Sequence, residues 1–335
     1  MEVHTSTAIA IENLHAQYGH VTAVNGISLN IRAGECFGLL GPNGAGKTTT
    51  LSCVEGIKNY QEGRILIDGI DVRKEPARAK RLLGVQLQLS SLFPDLTATE
   101  IVQFYSSLYN VFLKRAQVQA LLERFDLADK AKAKIGQLSG GQQHRLTLAL
   151  SIAHNPSILL LDEPTTGLDP QARRTVWSTI RQLRKEGKTI ILTTHYIEEA
   201  EMLCQRVGII DKGVILALGS PQELIQTMGN LSTVLVTMQL SDENARTLSE
   251  HALVGSLSYD APQLTIQTQE PQQLLALLDQ IGKDTGNMPQ DMTVRRPNLE
   301  DVFLSLTGRA LGLPEQISAQ KFPKGKKTEE NKTYA

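Results

Sequence analysis

Gly41-Pro42-Asn43-Gly44-Ala45-Gly46-Lys47-Thr48 has the spacing GxxxxGK[ST], and those residue types suit one task, the cradling of a phosphate chain. The glycines let the backbone curl so that successive N–H groups face an anion at the start of a helix. Lys47 supplies a cation for β- and γ-phosphates, Thr48 offers a hydroxyl to Mg²⁺, and Thr49 follows them into the nucleotide-contacting set. A second group lies downstream, where Ile158-Leu159-Leu160-Leu161 runs into Asp162-Glu163. Two acids at the carboxyl edge of a buried parallel strand stand where α/β sheets bind ligands. Asp162 is placed to hold Mg²⁺ through water. Glu163, sent elsewhere by the alternation of side chains along a strand, is placed to polarise an attacking water. Without the phosphate loop upstream, two acids that merely end a strand would explain the pair equally well.

Ser139-Gly140-Gly141-Gln142 reads first as a capping box, Ser and Gln three apart at the start of a helix that runs through Ala153. Capping does not require the glycines, which cost roughly 1 kcal/mol each against Ala inside a helix. Something must approach that backbone closely, and a phosphate at the helix N-terminus is the natural candidate. His195 closes the series, after the apolar run Ile190-Ile191-Leu192-Thr193-Thr194.

The elements that must position these residues can be read from the pattern. Between Ile9 and Ile31 apolar and polar residues alternate around Tyr18-Gly19 and Asn25-Gly26, which predicts short antiparallel strands with turns at both dipeptides. Cys36 to Leu40 reads as a strand and Lys47 to Val54 as the helix after the loop. Further strands are expected at Leu83 to Leu87, Ser157 to Leu161 and Thr189 to Leu192, with a helix from Pro170 to Lys185 between the last two. That alternation predicts a parallel α/β sheet. Residues 97 to 153 read as a helical insert. Beyond Gln226 the order is strand, helix, strand, strand, helix, strand, the βαββαβ order of a ferredoxin-like unit, followed by a helix capped by Asn298. Leu274, Leu275, Leu277 and Leu278, with Val302, Phe303, Leu304 and Leu306, exceed what one small sheet face needs, which leaves two readings: part of this surface pairs with a second copy, or both helices simply cover their own sheet. Lys321 to Ala335 reads as a solvated tail.

Taken in order, the phosphate loop, Leu138-Ser139-Gly140-Gly141-Gln142, Leu160-Leu161-Asp162-Glu163-Pro164 and His195 resemble the ATPase subunit of an ATP-binding cassette (ABC) transporter over roughly residues 8 to 225. The resemblance implies an α/β fold: a P-loop ATPase domain, 1-225, with an N-terminal antiparallel β subdomain and a helical subdomain near 97-153; the pattern beyond it adds an α+β accessory and dimerisation domain at 226-310 and a tail at 311-335. It implies that Gln88 senses Mg²⁺ and the transmembrane partner, that Asp169 belongs to the D-loop, that His195 contacts the γ-phosphate and that Tyr18 stacks on adenine. On the residues alone, Gln88 is a polar strand end, Asp169-Pro170 a helix cap and Tyr18 a turn aromatic. The resemblance further implies ATP and Mg²⁺ as ligands, a second ATP-binding subunit facing the first head to tail, and an integral membrane permease. Leu161 to Pro170 and the late Pro297 to Gly308 resemble the drug-resistance branch of ABC-2 type exporters, whose substrates run from drugs to lipids and polysaccharides. His144 stands where Arg or Lys is expected and has no evident role.

Composition bounds the alternatives. The chain has 335 residues, 41% hydrophobic and 21% charged, enough for a sizeable core and unlike a disordered or collagenous chain. Lys and Arg number 34 against 35 Asp and Glu, so no overall basic field favours nucleic acid. Cys36, Cys53 and Cys204 form no CxxC pair, which fits a reducing compartment, and no apolar run reaches spanning length. The cytoplasmic face of the cell membrane, reached through the permease, is the expected location. The competing readings are a soluble ABC ATPase acting on ribosomes or DNA, and an importer ATPase with a ligand-sensing C-terminal domain.

Overall fold

The computed structural model describes residues 6–86, 92–229 and 232–307. Gln88, Leu87 and the tail expected after Lys321 lie outside the described residues. The chain divides into two compact units, Met1–Leu224 and Ile225–Ala335.

The first unit is organised by a six-stranded sheet. Its order from one edge is Val214–Gly219, Arg206–Asp211, Cys36–Leu40, Thr189–Thr194, Ile158–Asp162 and Leu83–Val85. All neighbours are parallel except the first pair. The central strands are buried along almost their whole length, as continuous apolar runs covered on both faces require. This order sets the layout of the candidate site, because Thr189–Thr194 lies between the phosphate-loop strand and the strand that ends in Asp162.

A second, antiparallel sheet has the order Val21–Arg32, Thr7–Tyr18, Glu62–Ile67, Ile70–Asp71. Its Ile9, Leu14, Ile27 and Ile65 share one core with Phe37, Leu160 and Ile191 of the first sheet. Contrary to the expectation from sequence, Asn25-Gly26 is not a turn but lies within a 12-residue strand. Leu14 pairs with Ile27 and His15 with Asn25, so Gly26, at φ 75°, is the extra residue of a bulge. Residues 97 to 153 hold the helices Ala98–Leu108, Arg115–Arg124 and Gly140–Ile152.

The second unit contains a four-stranded antiparallel sheet of order Ser256–Asp260, Gln263–Thr268, Ser232–Thr237, Gln290–Arg295. Leu248 of helix Asp242–Ser249 and Leu274 and Leu278 of helix Pro271–Thr285 pack with Val234, Val236, Leu264 and Ile266. Leu275 and Leu277 pack against the same cluster, and Val302 and Phe303 are buried. Of the eight apolar residues expected to leave a surplus, only Leu306 is exposed, so the surface that suggested pairing through these helices is not there. The last helix, Leu299–Thr307, is tied down by Asp301, which accepts from Thr233 Oγ1 at 3.1 Å and from Arg295 at 2.6 Å.

His154 lies flat on Tyr109, with ring centroids 3.6 Å apart, and donates through Nε2 to the Leu83 carbonyl at 3.0 Å. Burial lowers its pKa from 6.5, and the carbonyl bond opposes that only in part. As pH falls below 6.5 the unfolded chain therefore takes up a proton that the folded one refuses, and stability is lost. Glu199, raised by burial from 4.5, acts in the opposite sense, its contribution fading as pH rises above that value. The diagnostic quantity is thus the difference between wild type and His154→Gln. In urea titrations between pH 7.5 and 5.5 the variant should lose less stability, by at most about 1.4 kcal/mol per pH unit. Identical pH dependence would contradict the assignment.

Candidate functional site

The phosphate loop leaves the buried strand Cys36–Leu40 and enters helix Lys47–Val54. Gly44 and Gly46 have φ of 81° and 104°, a region costly for residues with a Cβ. A Cβ at Gly46 would also stand 2.4 Å from the Ala23 carbonyl, because strand Val21–Arg32 backs directly onto the loop. Gly213 completes the support, its N–H bonding the Ala45 carbonyl and its carbonyl accepting from Asn25.

Lys47 is buried, and its ammonium donates to the carbonyls of Gly41 at 2.8 Å and Pro42 at 3.1 Å. Its third partner is Glu163 Oε1 at 3.2 Å. The other carboxylate oxygen of Glu163 accepts from Thr166 Oγ1 at 3.1 Å and stands 3.3 Å from His195 Nδ1. That last contact is at ion-pair distance but outside hydrogen-bonding geometry. Burial works against ionisation of Glu163, but Lys47 and His195 outweigh it and hold its pKa below 4.5. The group is a carboxylate at neutral pH.

Asp162 ends the strand Ile158–Asp162, and its Oδ1 accepts from Thr48 Oγ1 at 3.2 Å and from the hydroxyl of Thr193. Thr193 Oγ1 also accepts from the Glu163 N–H at 2.9 Å, so one buried hydroxyl organises both acids. Thr48 and Asp162 form a pair of oxygen donors beside the loop, the hard-ligand set that Mg²⁺ prefers when phosphates complete its shell. The loop, both acids and His195 are thus brought together by the strand order. The surroundings of Gln88 lie outside the described residues.

Ser139 caps helix Gly140–Ile152: its Oγ accepts from Gln142 N at 3.3 Å, and Gln142 Oε1 accepts from Ser139 N at 2.9 Å. A Cβ added at Gly140 would meet nothing within 4 Å, and one at Gly141 only the Ala172 methyl at 3.9 Å. Nothing in the packing of the described residues requires those glycines. Asp169 caps helix Pro170–Lys185 through Ala172 N at 2.9 Å and is exposed. Tyr18 is 53% exposed at the end of its strand, with the Lys58 ammonium 3.7 Å from its ring centre.

Two groups escaped sequence reasoning. Thr193 is one, although it directly precedes the Thr194-His195 pair. The other is Glu199, fully buried, whose Oε1 accepts from Thr165 Oγ1 at 3.0 Å and Trp177 Nε1 at 3.1 Å. Burial raises its pKa against the hydrogen bonds from Thr194, Thr165 and Trp177. It links the segment after Glu163 to the helix after His195.

Residues 24–166 match the family model described as ABC transporter. The chain is 36% identical to the linearmycin resistance ATP-binding protein of Bacillus subtilis, over 90% of this chain and 98% of that one. It is 39% identical to the Nod factor export ATP-binding protein I of Ralstonia nicotianae, over 92% and 96% of the two chains. Among solved structures, a dimeric ATP-binding cassette in a post-hydrolysis state with ADP and Pi superposes with a TM-score of 0.58 at 28% identity, covering 63% of this chain and 98% of that one.

Two substitutions probe this geometry. Gly140→Ala has room for its methyl and should leave the melting temperature unchanged or slightly raised. The same methyl should cut ATP turnover at least tenfold if a phosphate from a facing subunit must reach that backbone. Full turnover with normal stability would show that the glycines serve nothing. Lys47→Ala, by contrast, removes the cation of the loop and should abolish nucleotide binding in a fluorescence titration.

Proposed function

The chain belongs to the ABC transporter ATP-binding family, and we propose on that footing that it powers the export of a substrate of drug, lipid or polysaccharide class through a separate ABC-2 type permease. One observation carries this reading: relatives named for Nod factor export and for linearmycin resistance align over nine-tenths of the chain, through the C-terminal unit as well as the cassette. That unit's strand order supports a ferredoxin-like accessory domain. No helix among the described residues is long and apolar enough to cross a membrane, which is in keeping with a peripheral subunit on the cytoplasmic face that works through its permease.

Hydrolysis of ATP asks for a held triphosphate, a polarised water and charge stabilisation. The loop from Gly41 to Thr49 and Lys47 hold the phosphates, while Tyr18, half exposed beside Lys58, offers its ring to the adenine. Mg²⁺ would be held by Thr48 and Asp162, with Gln88 as the further ligand implied by the family, and would neutralise charge on the phosphates. Glu163, ionised at neutral pH, accepts a hydrogen bond from the attacking water and orients it. His195 stands beside Glu163 to meet the γ-phosphate. Ser139, Gly140, Gly141, Gln142 and Asp169 would face the nucleotide of a second cassette, a reading that the free space beside Gly140 and Gly141 supports. The arrangement makes a dimer, most simply of two copies, the working unit.

The helical insert carries Phe104, Leu108 and Phe112 exposed, and the exposed Phe93 just before it is in edge contact with Phe104 at 5.8 Å. Phe112 is 80% exposed, a poor use of a large apolar residue unless a partner covers it. We assign this patch to the permease. Full-length tagged chain, purified from detergent-solubilised membranes, should bring down a polytopic membrane protein, and Phe104→Ser with Phe112→Ser should reduce that recovery several-fold without changing ATP affinity. Recovery of ribosomes or DNA with no membrane protein would overturn export. Glu163→Gln should trap an ATP-bound dimer, visible by light scattering, with turnover down at least tenfold. Near-normal hydrolysis would remove Glu163 from its role.

A further inference from the structure

Glu199 stands in the first turn of helix Ile197–Leu203, just after His195, and is fully buried. One of its oxygens, Oε1, accepts from two side chains, Thr165 Oγ1 at 3.0 Å and Trp177 Nε1 at 3.1 Å. Thr165 has no exposure either, and it lies in the short turn by which the chain leaves Glu163. That turn is closed by the Thr166 N–H on the Glu163 carbonyl and the Leu168 N–H on the Thr165 carbonyl, both at 3.2 Å. The next residue, Thr166, is exposed and donates through Oγ1 to Glu163 Oε2 at 3.1 Å.

Two successive threonines thus face opposite ways, one into the core and the other onto the carboxylate of Glu163. Their directions are coupled, because a turn rotated to bring Thr165 outward would carry Thr166 off Glu163. A buried hydroxyl left without an acceptor is costly, so the Glu199 carboxyl selects the inward position for Thr165. A carboxyl is an expensive way to fill a core, since burial opposes its ionisation and an apolar side chain of similar size would pack there without that cost. What an apolar side chain lacks is the acceptor, and Oε1 remains one whether or not the group is protonated.

We propose that Glu199 is a positioning residue of ATP hydrolysis: by holding Thr165 inward it sets the turn from which Thr166 orients the Glu163 carboxylate. The inference rests on the proposed role of Glu163 as the group that orients the attacking water. The path is short, one hydrogen bond to Thr165, one peptide link to Thr166 and one hydrogen bond to Glu163 Oε2. Trp177 shares the same carboxyl oxygen but lies on helix Pro170–Lys185, beyond the turn, so its bond anchors that helix and does not set Thr166. A shift of about 1 Å in a group that orients a reactant can cost on the order of 100-fold in rate, so a weak distortion of the turn is enough to be measured.

Four variants of the full chain test the proposal. Thr165→Val keeps the shape of its side chain and removes the donor, Glu199→Gln keeps an acceptor oxygen, Glu199→Met keeps only bulk, and Trp177→Phe removes the other donor to the same oxygen. The kcat and KM for ATP and the melting temperature would be measured for each. Thr165→Val and Glu199→Met should lose roughly tenfold in kcat with KM within twofold of wild type, the pattern of an interaction that matters in the transition state. Combined, they should be no slower than the slower of the two, because both break one bond. Glu199→Gln should keep most of kcat, and Trp177→Phe should melt lower than wild type while its kcat stays within twofold. A merely structural role predicts instead that kcat follows melting temperature, with Trp177→Phe as slow as Thr165→Val, and that outcome overturns the proposal. So does a folded Thr165→Val protein with wild-type kcat, or a Glu199→Gln protein as slow as Glu199→Met. Should Glu199→Met fail to fold, the comparison of Thr165→Val with Trp177→Phe decides. Failure of the underlying reading would look different: Glu163→Gln itself would then hydrolyse ATP at a near-normal rate.

Discussion

A buried ammonium can be kept charged only by partners that repay several kcal/mol of lost hydration, and Lys47 finds three of them within 3.2 Å. Two are backbone carbonyls of its own loop, which fixes how tightly that loop must curl. The third is Glu163, which directly follows the strand Ile158–Asp162, more than a hundred residues away in sequence, and must be delivered to the spot. The sheet delivers it by placing Thr189–Thr194 between the two strands, so that the carboxyl ends of three neighbouring strands open on one place. His195 and Thr193 owe their positions to the same insertion, since residues at the end of the middle strand must lie between loop and acids. Removing the central strand would separate the loop from its counter-charge. The antiparallel sheet has a related duty, since Ala23 leaves room behind Gly46 for a hydrogen and nothing larger.

Much of this was legible because the relevant signals are local. A strand, a curled loop and a helix are adjacent in sequence, and Asp169-Pro170 announces the start of its helix with a cap and a proline. What was not legible depends on pairing. Gly26 looks like a turn residue and is one by conformation, but two long strands pair across it and absorb the extra residue as a bulge. The hairpins closed by Asp68-Gly69 and Lys212-Gly213 were passed over, although left-handed residues followed by glycine are a fair signal for tight turns. The apolar residues of the C-terminal helices misled for another reason: composition counts them, whereas burial depends on how the helices sit, and here Leu274, Leu278, Val302 and Phe303 are buried while Leu275 and Leu277 pack partly against the sheet's cluster.

In the site, sequence order concealed the polar connections for the same reason. Thr193 and Glu199 look ordinary in a string of residues, and their importance comes from what lies across the sheet or the helix pair from them. Glu199 is the clearer case. A carboxyl with no exposure that receives hydrogen bonds from a threonine after Glu163 and from Trp177 can sit only where three elements meet. Such groups hold a unique arrangement at some expense in stability.

The two adjacent acids show how a backbone detail divides labour that side-chain type alone does not. Strand alternation suggested that Asp162 and Glu163 point apart because successive strand residues do. Glu163 lies outside the strand, at φ 48°, a left-handed conformation that costs a residue with a Cβ roughly 1 to 2 kcal/mol. The turn is held by Glu163 N–H bonds to the carbonyl and the hydroxyl of Thr193, at 3.2 and 2.9 Å. Asp162 is thereby left with Thr48 and Thr193, while Glu163 swings to Lys47, His195 and Thr166. A regular strand continuation would break the two bonds that hold the turn and take Glu163, the one carboxylate paired with the Lys47 ammonium among the described residues, away from it. The left-handed residue therefore gives neighbouring carboxylates different environments, one beside a hydroxyl pair suited to a metal, the other between two cationic or protonatable groups that keep it ionised.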